Sequence, residues 1–139
     1  MPLELARRAI PYTPFERDLS DTTVALVSTA GVYLASQEPF DTDGDGSYRT
    51  IPASTDVADL RIAHTHYDHS EADRDINCVF PIERLRELAA DGTIKGVNAD
   101  FYGMMGYTLK MKQVMDETGP EIARKIERSQ TDLVLLTGG

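Results

Sequence analysis

The chain has 139 residues, enough to bury one hydrophobic core without disulfide or metal staples. Its net charge of −9 leaves it without the basic surface that phosphate backbones require, and 41% hydrophobic with 27% charged residues is the composition of an ordinary globular domain. One cysteine, Cys78, excludes a disulfide within the chain and a zinc site built on two or more thiolates.

No apolar run reaches the roughly 18 residues of a membrane span, and Met1–Ile10 carries an acid and lacks the apolar centre of a signal peptide. The expectation is a cytoplasmic protein with neither a membrane nor a nucleic-acid partner. Residues 1–20 hold Pro2, Pro11 and Pro14, and proline cannot donate to a sheet ladder. They are expected to form an N-terminal arm, with room for a short helix over Leu3–Ala9, ahead of a single domain over 21–139.

Thr23–Thr29 is a continuous apolar run between Asp21 and Gly31, the pattern of a strand buried on both faces in a parallel sheet. Ala30-Gly31 opens a loop. Pro39–Ser47 is turn chemistry: Asp41, Asp43, Asp45 and Gly46 match the first half of a calcium loop, but Pro52 stands where the bidentate glutamate belongs. A solvated acidic turn is expected there, followed by a short edge strand over Tyr48–Ile51. Asp59–Ala63 is a second strand running into Ile62-Ala-His-Thr-His-Tyr-Asp-His-Ser70, which holds all three histidines.

Pro81–Ala90 predicts an amphipathic helix with Ile82, Leu85, Leu88 and Ala89 on one face, Asn77 as N-cap and Gly92 closing the end. Ile94–Asn98 is a third strand, and Phe101–Tyr107 a glycine-broken aromatic loop. Thr108–Asp116 predicts a helix, and Thr118-Gly-Pro-Glu121 a capping box that starts another to Arg128. Met111, Met115, Ile122 and Ile126 recur at helical spacing and are expected in the core. Thr131–Thr137 is the last strand, apolar throughout. Strands alternating with helices predict an α/β domain with a mainly parallel sheet and flanking helices. Ligands in such folds gather beyond the carboxyl ends of the strands, here Thr29–Tyr33, His64–Ser70 and Thr137–Gly139, joined by Tyr102-Gly103.

Three chemistries compete for the histidine stretch. His64-x-His66-x-Asp68-His69 matches the signature that metallo-β-lactamase-like hydrolases carry after a strand, where imidazoles and a carboxylate hold zinc and acidify a bound water. That family needs further histidines downstream, and the chain has none. The second reading is a set of exposed loop histidines. The third is a loop that binds an organic substrate through His64, Tyr67 or Asp68. Cys78 stands at a helix start, which favours thiolate, but Ile76, Val79 and Phe80 around it predict a buried, inert thiol.

Six blocks then occur in one order and spacing: Thr23–Gly31, Asp75-x-Asn77 with Phe80-Pro-x-x-Arg84-Leu-Arg-Glu-Leu88, Gly92-x-Ile94, Tyr102-Gly-x-Met-Gly106, Glu117-Thr-Gly-Pro-Glu-Ile-Ala123 and Asp132–Thr137. Together they resemble the selenoprotein B family of the glycine, sarcosine, betaine and D-proline reductases over roughly residues 20–139. The fold expected from the strand–helix order is a Rossmann-like α/β domain, and the resemblance implies reductive cleavage of a C–N bond in a small amino-acid-like substrate. It implies a thiol or dithiol reductant and other reductase subunits as partners; no bound metal or other cofactor is expected.

It also implies a redox selenocysteine or cysteine just after the last strand, at a position following Gly139. A UGA codon taken as a stop would account for a chain truncated there. The catalytic residue is then outside the chain. Thr29, Gly31, His64, Tyr67, Asp75, Asn77, Tyr102 and the backbone of Thr137, Gly138 and Gly139 are expected as substrate-binding pocket wall. The other readings are the metallohydrolase with His64, His66, Asp68 and His69, and a non-catalytic binding subunit.

Overall fold

The structure is a computed structural model and describes residues 13–139. The expected helix over Leu3–Ala9, and most of the expected arm, lie outside the described residues. The chain is an α/β fold built on β1 (Thr23–Ser28). Parallel β7 (Leu133–Thr137) pairs along nearly all of one side of β1. The other side pairs first with β5 (Gly96–Val97) and then with β6 (Asp100–Met104), both parallel. Between the Thr23–Gly96 and Val27–Tyr102 pairs the second strand carries two residues more than β1 does. The surplus is a bulge at Asn98-Ala99, where the Asn98 side chain accepts from the Ala99 N–H and donates to the Asp100 carbonyl. Antiparallel β3 (Tyr48–Pro52) closes the far edge beside β6.

The continuous run in β1 is explained by burial from both faces. Val24 and Leu26 enter the larger core with Phe80, Ile82, Leu85, Ile94 and Phe101, while Val27 enters a smaller one with Tyr102 and Ile122. Phe80 and Phe101 are fully buried and meet edge to face, 6.1 Å between centroids; each contributes about 2–3 kcal/mol of apolar burial.

One expected strand and two expected loops differ in kind. Leu60–Ile62 is strand β4, but it pairs antiparallel with β2 (Val32–Leu34) in a separate two-stranded sheet instead of joining the main one. The loop expected after Gly31 is thus partly strand. Phe101–Tyr107 is extended through Met104 rather than looped. Its Gly103 is there because β2 crosses closely: a Cβ would sit 2.0 Å from the Val32 carbonyl oxygen.

A short helix α1 (Ser70–Arg74) follows the histidine stretch, and α2 (Ile82–Ala90) covers the larger core with Ile82 and Leu85, leaving Leu88 exposed. Asn77 serves α2 from a distance: its side chain accepts from the Glu83 N–H and donates to the Glu83 carboxylate. Gly92, at φ +80°, ends the helix.

The last helical segment is continuous where two helices were expected. Helix α3 (Met111–Gln113) passes through a π-helical turn, Val114–Thr118, into α4 (Gly119–Arg128). Pro120 explains the widened turn, because it has no N–H to give the preceding turn and its ring needs space there. Thr118 therefore caps nothing; it is buried and its hydroxyl donates to the Gly46 carbonyl. Ile122 packs under α4, but Met111 and Met115 are exposed, so only the second half of the expected stripe is core.

Strand β7 is less covered than its composition predicts. Leu133 and Leu135 pack on the larger core, while Val134 and Leu136, on the α4 face, are 39% and 73% exposed. An apolar groove of about 530 Å³ runs between them and Ile122 and Ile126 of α4.

Candidate functional site

Close backbone approach assembles the carboxyl ends of β1, β6 and β7. The Thr29 N–H donates to the Thr137 carbonyl, and the Gly31 N–H to that of Met104. Glycines make room. A Cβ on Gly31, at φ +79°, would lie 2.5 Å from the Ala63 carbonyl oxygen, and one on Gly106 would lie 2.9 Å from that of Thr29. Thr29, Gly106, Gly138 and Gly139 are all exposed, so the strand ends form a polar floor of backbone groups and one hydroxyl.

The turn before α2 is tied to this floor by a single carbonyl. Val79 O accepts from the Ser28 hydroxyl at 2.9 Å and from the Thr137 hydroxyl at 2.6 Å. Ser28 Oγ also accepts from the Ala30 N–H. A hydroxyl inside the apolar run of β1 was the available signal for Ser28; nothing in the residue pattern pointed to Val79. The link brings Cys78, the residue before, to the same end of the sheet. Cys78 is exposed, not buried as its apolar neighbours suggest, because Val79 and Phe80 turn inward while the preceding turn stays at the surface.

The histidine stretch lies over the floor. The Tyr67 hydroxyl donates to the Ala30 carbonyl at 3.0 Å, and its ring lies so close to Gly139 that a Cβ there would come within 2.5 Å of it. Tyr67 is half-buried, and burial followed by the nearby Asp73 carboxylate raises its phenol pKa. His64 is buried; its Nδ1 accepts from the His66 N–H at 3.0 Å, which leaves the neutral ring a proton on Nε2. Burial, then the charges of His66 and His69, holds its pKa below the ordinary value. His66 stacks on Tyr107 with centroids 3.5 Å apart. That partner was not anticipated, since it comes from a loop 41 positions away in the sequence.

The four donors of the zinc pattern take separate partners. His64 holds the backbone, His66 holds Tyr107, and His69 Nδ1 meets Asp73 at 2.9 Å. Asp68 accepts from the Ser70 N–H at the start of α1, which lowers its pKa. Among the described residues no three His, Cys, Asp or Glu side chains converge as a metal site. The acidic turn closes on itself in the same way: Asp45 accepts from the Asp41 and Ser47 N–H groups.

Of the residues expected around a pocket, the structure brings Thr29, Gly31, His64, Tyr67, Thr137, Gly138 and Gly139 together. Asp75 and Asn77 lie one turn away; Asp75 accepts from the Asn77 N–H and side chain, which lowers its pKa. Asp75 also borders an open cavity of about 490 Å³ with Ile62, Arg74 and Glu83. Tyr102 points away from the floor, into the smaller core beside Tyr48, where burial raises its pKa. No helix among the described residues is long and apolar enough to cross a membrane.

Comparison with known proteins gives these groups a context. The family described as glycine/sarcosine/betaine reductase selenoprotein B matches residues 2–139. The D-proline reductase subunit gamma of Acetoanaerobium sticklandii is 43% identical over 128 residues, which cover 92% of this chain and 53% of that one. The glycine reductase complex component B subunit gamma of Carboxydothermus hydrogenoformans is 29% identical over 92% of this chain and 30% of its own. The betaine reductase complex component B subunit beta of Peptoclostridium acidaminophilum is 26% identical over 87% of this chain and 29% of its own. The chain thus spans about half the length of the first relative and under a third of the other two. No solved structure is a significant match.

Proposed function

The chain belongs to the glycine/sarcosine/betaine reductase selenoprotein B family, and from that premise we propose that it forms the substrate-handling part of a cytoplasmic reductase that cleaves a C–N bond in a small amino-acid-like molecule. The first substrate to test is D-proline, because the 43% identical relative is named for it. The observation that carries the reading is the polar floor: the ends of β1 and β7, the Thr29 hydroxyl and the Gly138-Gly139 backbone meet at one exposed point.

In this proposal a selenol or thiol on polypeptide following Gly139 attacks the substrate carbon. A Se–C or S–C bond forms as the C–N bond breaks, and the nitrogen keeps the electron pair and takes a proton. A second thiol then attacks the selenium or sulfur. The carbon leaves with its electron pair and gains a proton, and a dithiol reductant, itself oxidised to a disulfide, reduces the resulting Se–S or S–S bond back to the free selenol or thiol pair. A selenol suits the role because the anion is the nucleophile and selenols are ionised near neutral pH. Other reductase subunits are the proposed protein partners.

The product of the whole gene, incubated with D-proline and dithiothreitol together with its co-purifying subunits, tests the reading. Ring-opened amino acid is the expected product. Failure to consume D-proline, glycine, sarcosine or betaine rejects it. The codon after Gly139 is an independent check: UGA with coding sequence beyond it, or a cysteine codon, agrees, and UAA or UAG does not.

A further inference from the structure

The segment from Ala63 to Ser70 crosses the carboxyl ends of β1 and β7 on few, separable contacts. At one end the Ala63 N–H donates to Gly31 O. At the other, Asp68 receives the Ser70 N–H and His69 pairs with Asp73, which fixes the segment to α1. Between these ends His64 is buried and the Tyr67 ring packs on the edge of the larger core, and two directed contacts reach other parts of the fold. The Tyr67 hydroxyl meets the Ala30 carbonyl at 3.0 Å, and the His66 ring stacks on Tyr107 at an interplanar angle of 16°. The Tyr67 ring fills the space immediately over Gly139.

We propose that Ala63–Ser70 is a lid over the strand ends, with Tyr67 as its plug and the His66–Tyr107 stack as its latch. Releasing it breaks one hydrogen bond and one stack and lifts the half-buried Tyr67 ring from the edge of the larger core. It frees the Ala30 carbonyl beside the already exposed Thr29 hydroxyl and Gly138-Gly139 backbone, a floor suited to a small molecule with both donors and acceptors. Closed, the ring covers one side of that floor and leaves Thr29, Gly138 and Gly139 open to solvent on the other. The proposal rests on placing the chemistry at these strand ends, but the motion can be measured without turnover.

The test is NMR relaxation dispersion on the full chain, which detects exchange on the microsecond–millisecond scale where such motions fall. Backbone amides of residues 64–69 and of 106–107 are expected to share one exchange process that is absent from β1 and β7. Tyr107→Ala and Tyr67→Phe should each raise the open population about fivefold, the worth of one aromatic stack or one hydrogen bond. Tyr107→Phe, which keeps the ring, should leave it unchanged. The lid is overturned if the two segments show no common process, or if Tyr107→Ala and Tyr67→Phe leave the population as it is. A moving segment with no reductase activity refutes the functional reading and keeps the lid; activity with a static segment does the reverse.

Discussion

The ring of Tyr67 lies on the backbone of Gly139, with no space between them for a Cβ. The atoms in the way are at the far end of a side chain, so Gly139→Ala should displace the ring rather than the backbone. The displaced ring loses its bond to the Ala30 carbonyl. Urea denaturation should show a loss of about 1 kcal/mol, the worth of one such bond. The same substitution made in a Tyr67→Ala background should cost almost nothing more. Equal losses in both backgrounds would mean that the ring and the glycine do not interact.

Gly103→Ala is predicted to be far more damaging. Its Cβ would lie 2.0 Å from the Val32 carbonyl oxygen, and both neighbours are buried backbone that cannot turn aside. About 3 kcal/mol should be lost, at the upper end of overpacking penalties. Gly96→Ala, which meets nothing within 4 Å, is the control and should stay near wild type. Thermal denaturation of the two variants side by side decides the matter.

The shared Val79 carbonyl makes the two hydroxyls below it unequal. Thr137→Val removes one donor and should cost about 1 kcal/mol. Ser28→Ala removes a donor and also leaves the Ala30 N–H without the acceptor it has now, in a fully buried position. It should cost about 2 kcal/mol, because a buried unpaired amide adds its own desolvation penalty. Equal losses in equilibrium unfolding would contradict this assignment.

Acid sensitivity should begin at His64. Its folded-state pKa lies below the ordinary 6.5, through burial first and the charges of His66 and His69 second. The unfolded chain therefore takes the proton first. Stability from the neutral ring is complete above about pH 6.5 and falls as pH drops below it. Asp45, Asp68 and Asp75 have pKa values lowered from 3.8, so their contribution is lost only in more acid solution. His64→Gln should flatten the dependence of the urea midpoint on pH between about 7 and 5, and an unchanged slope would place the sensitivity elsewhere.

Strand β7 sets the behaviour of the chain in solution. Among the described residues it is an edge strand with Val134 and Leu136 bare on one face, the arrangement that favours self-association. The 139-residue chain should show a concentration-dependent mass by sedimentation, and Leu136→Glu should abolish that dependence without lowering the melting temperature. A monomer at all concentrations would show that the face is not adhesive.

How far the residue pattern carried differs from element to element. Strand β1 and helix α2 were legible because burial on both faces and burial on one face leave different periods. Strand β6 was not: Gly103 and Gly106 look like loop residues, and only the crossing of β2 shows why a strand needs a glycine there. The turn at Pro120 reads as a helix start, since a capping box and a π-widened turn share the same residues. At the candidate site the contributing loops could be named from topology. Their contacts could not, because the Val79 carbonyl and the Tyr107 ring arrive from distant segments.

The bulged pairing of β1 carries a last consequence, for the order of events during synthesis. Strand β1 is made before all of its neighbours, Gly96–Val97, Tyr102-Gly103 and Leu133–Thr137. Such non-local pairing slows folding, because distant segments must meet before any contact rewards them. At about 5–20 residues per second, the apolar Val24–Val27 run waits several seconds for its final partner. Arg17 and the Thr23 N–H both bond to Asp132, so the first described turn and the last strand close together. The nascent Val24–Val27 run thus stays unpaired on one side until β7 is made.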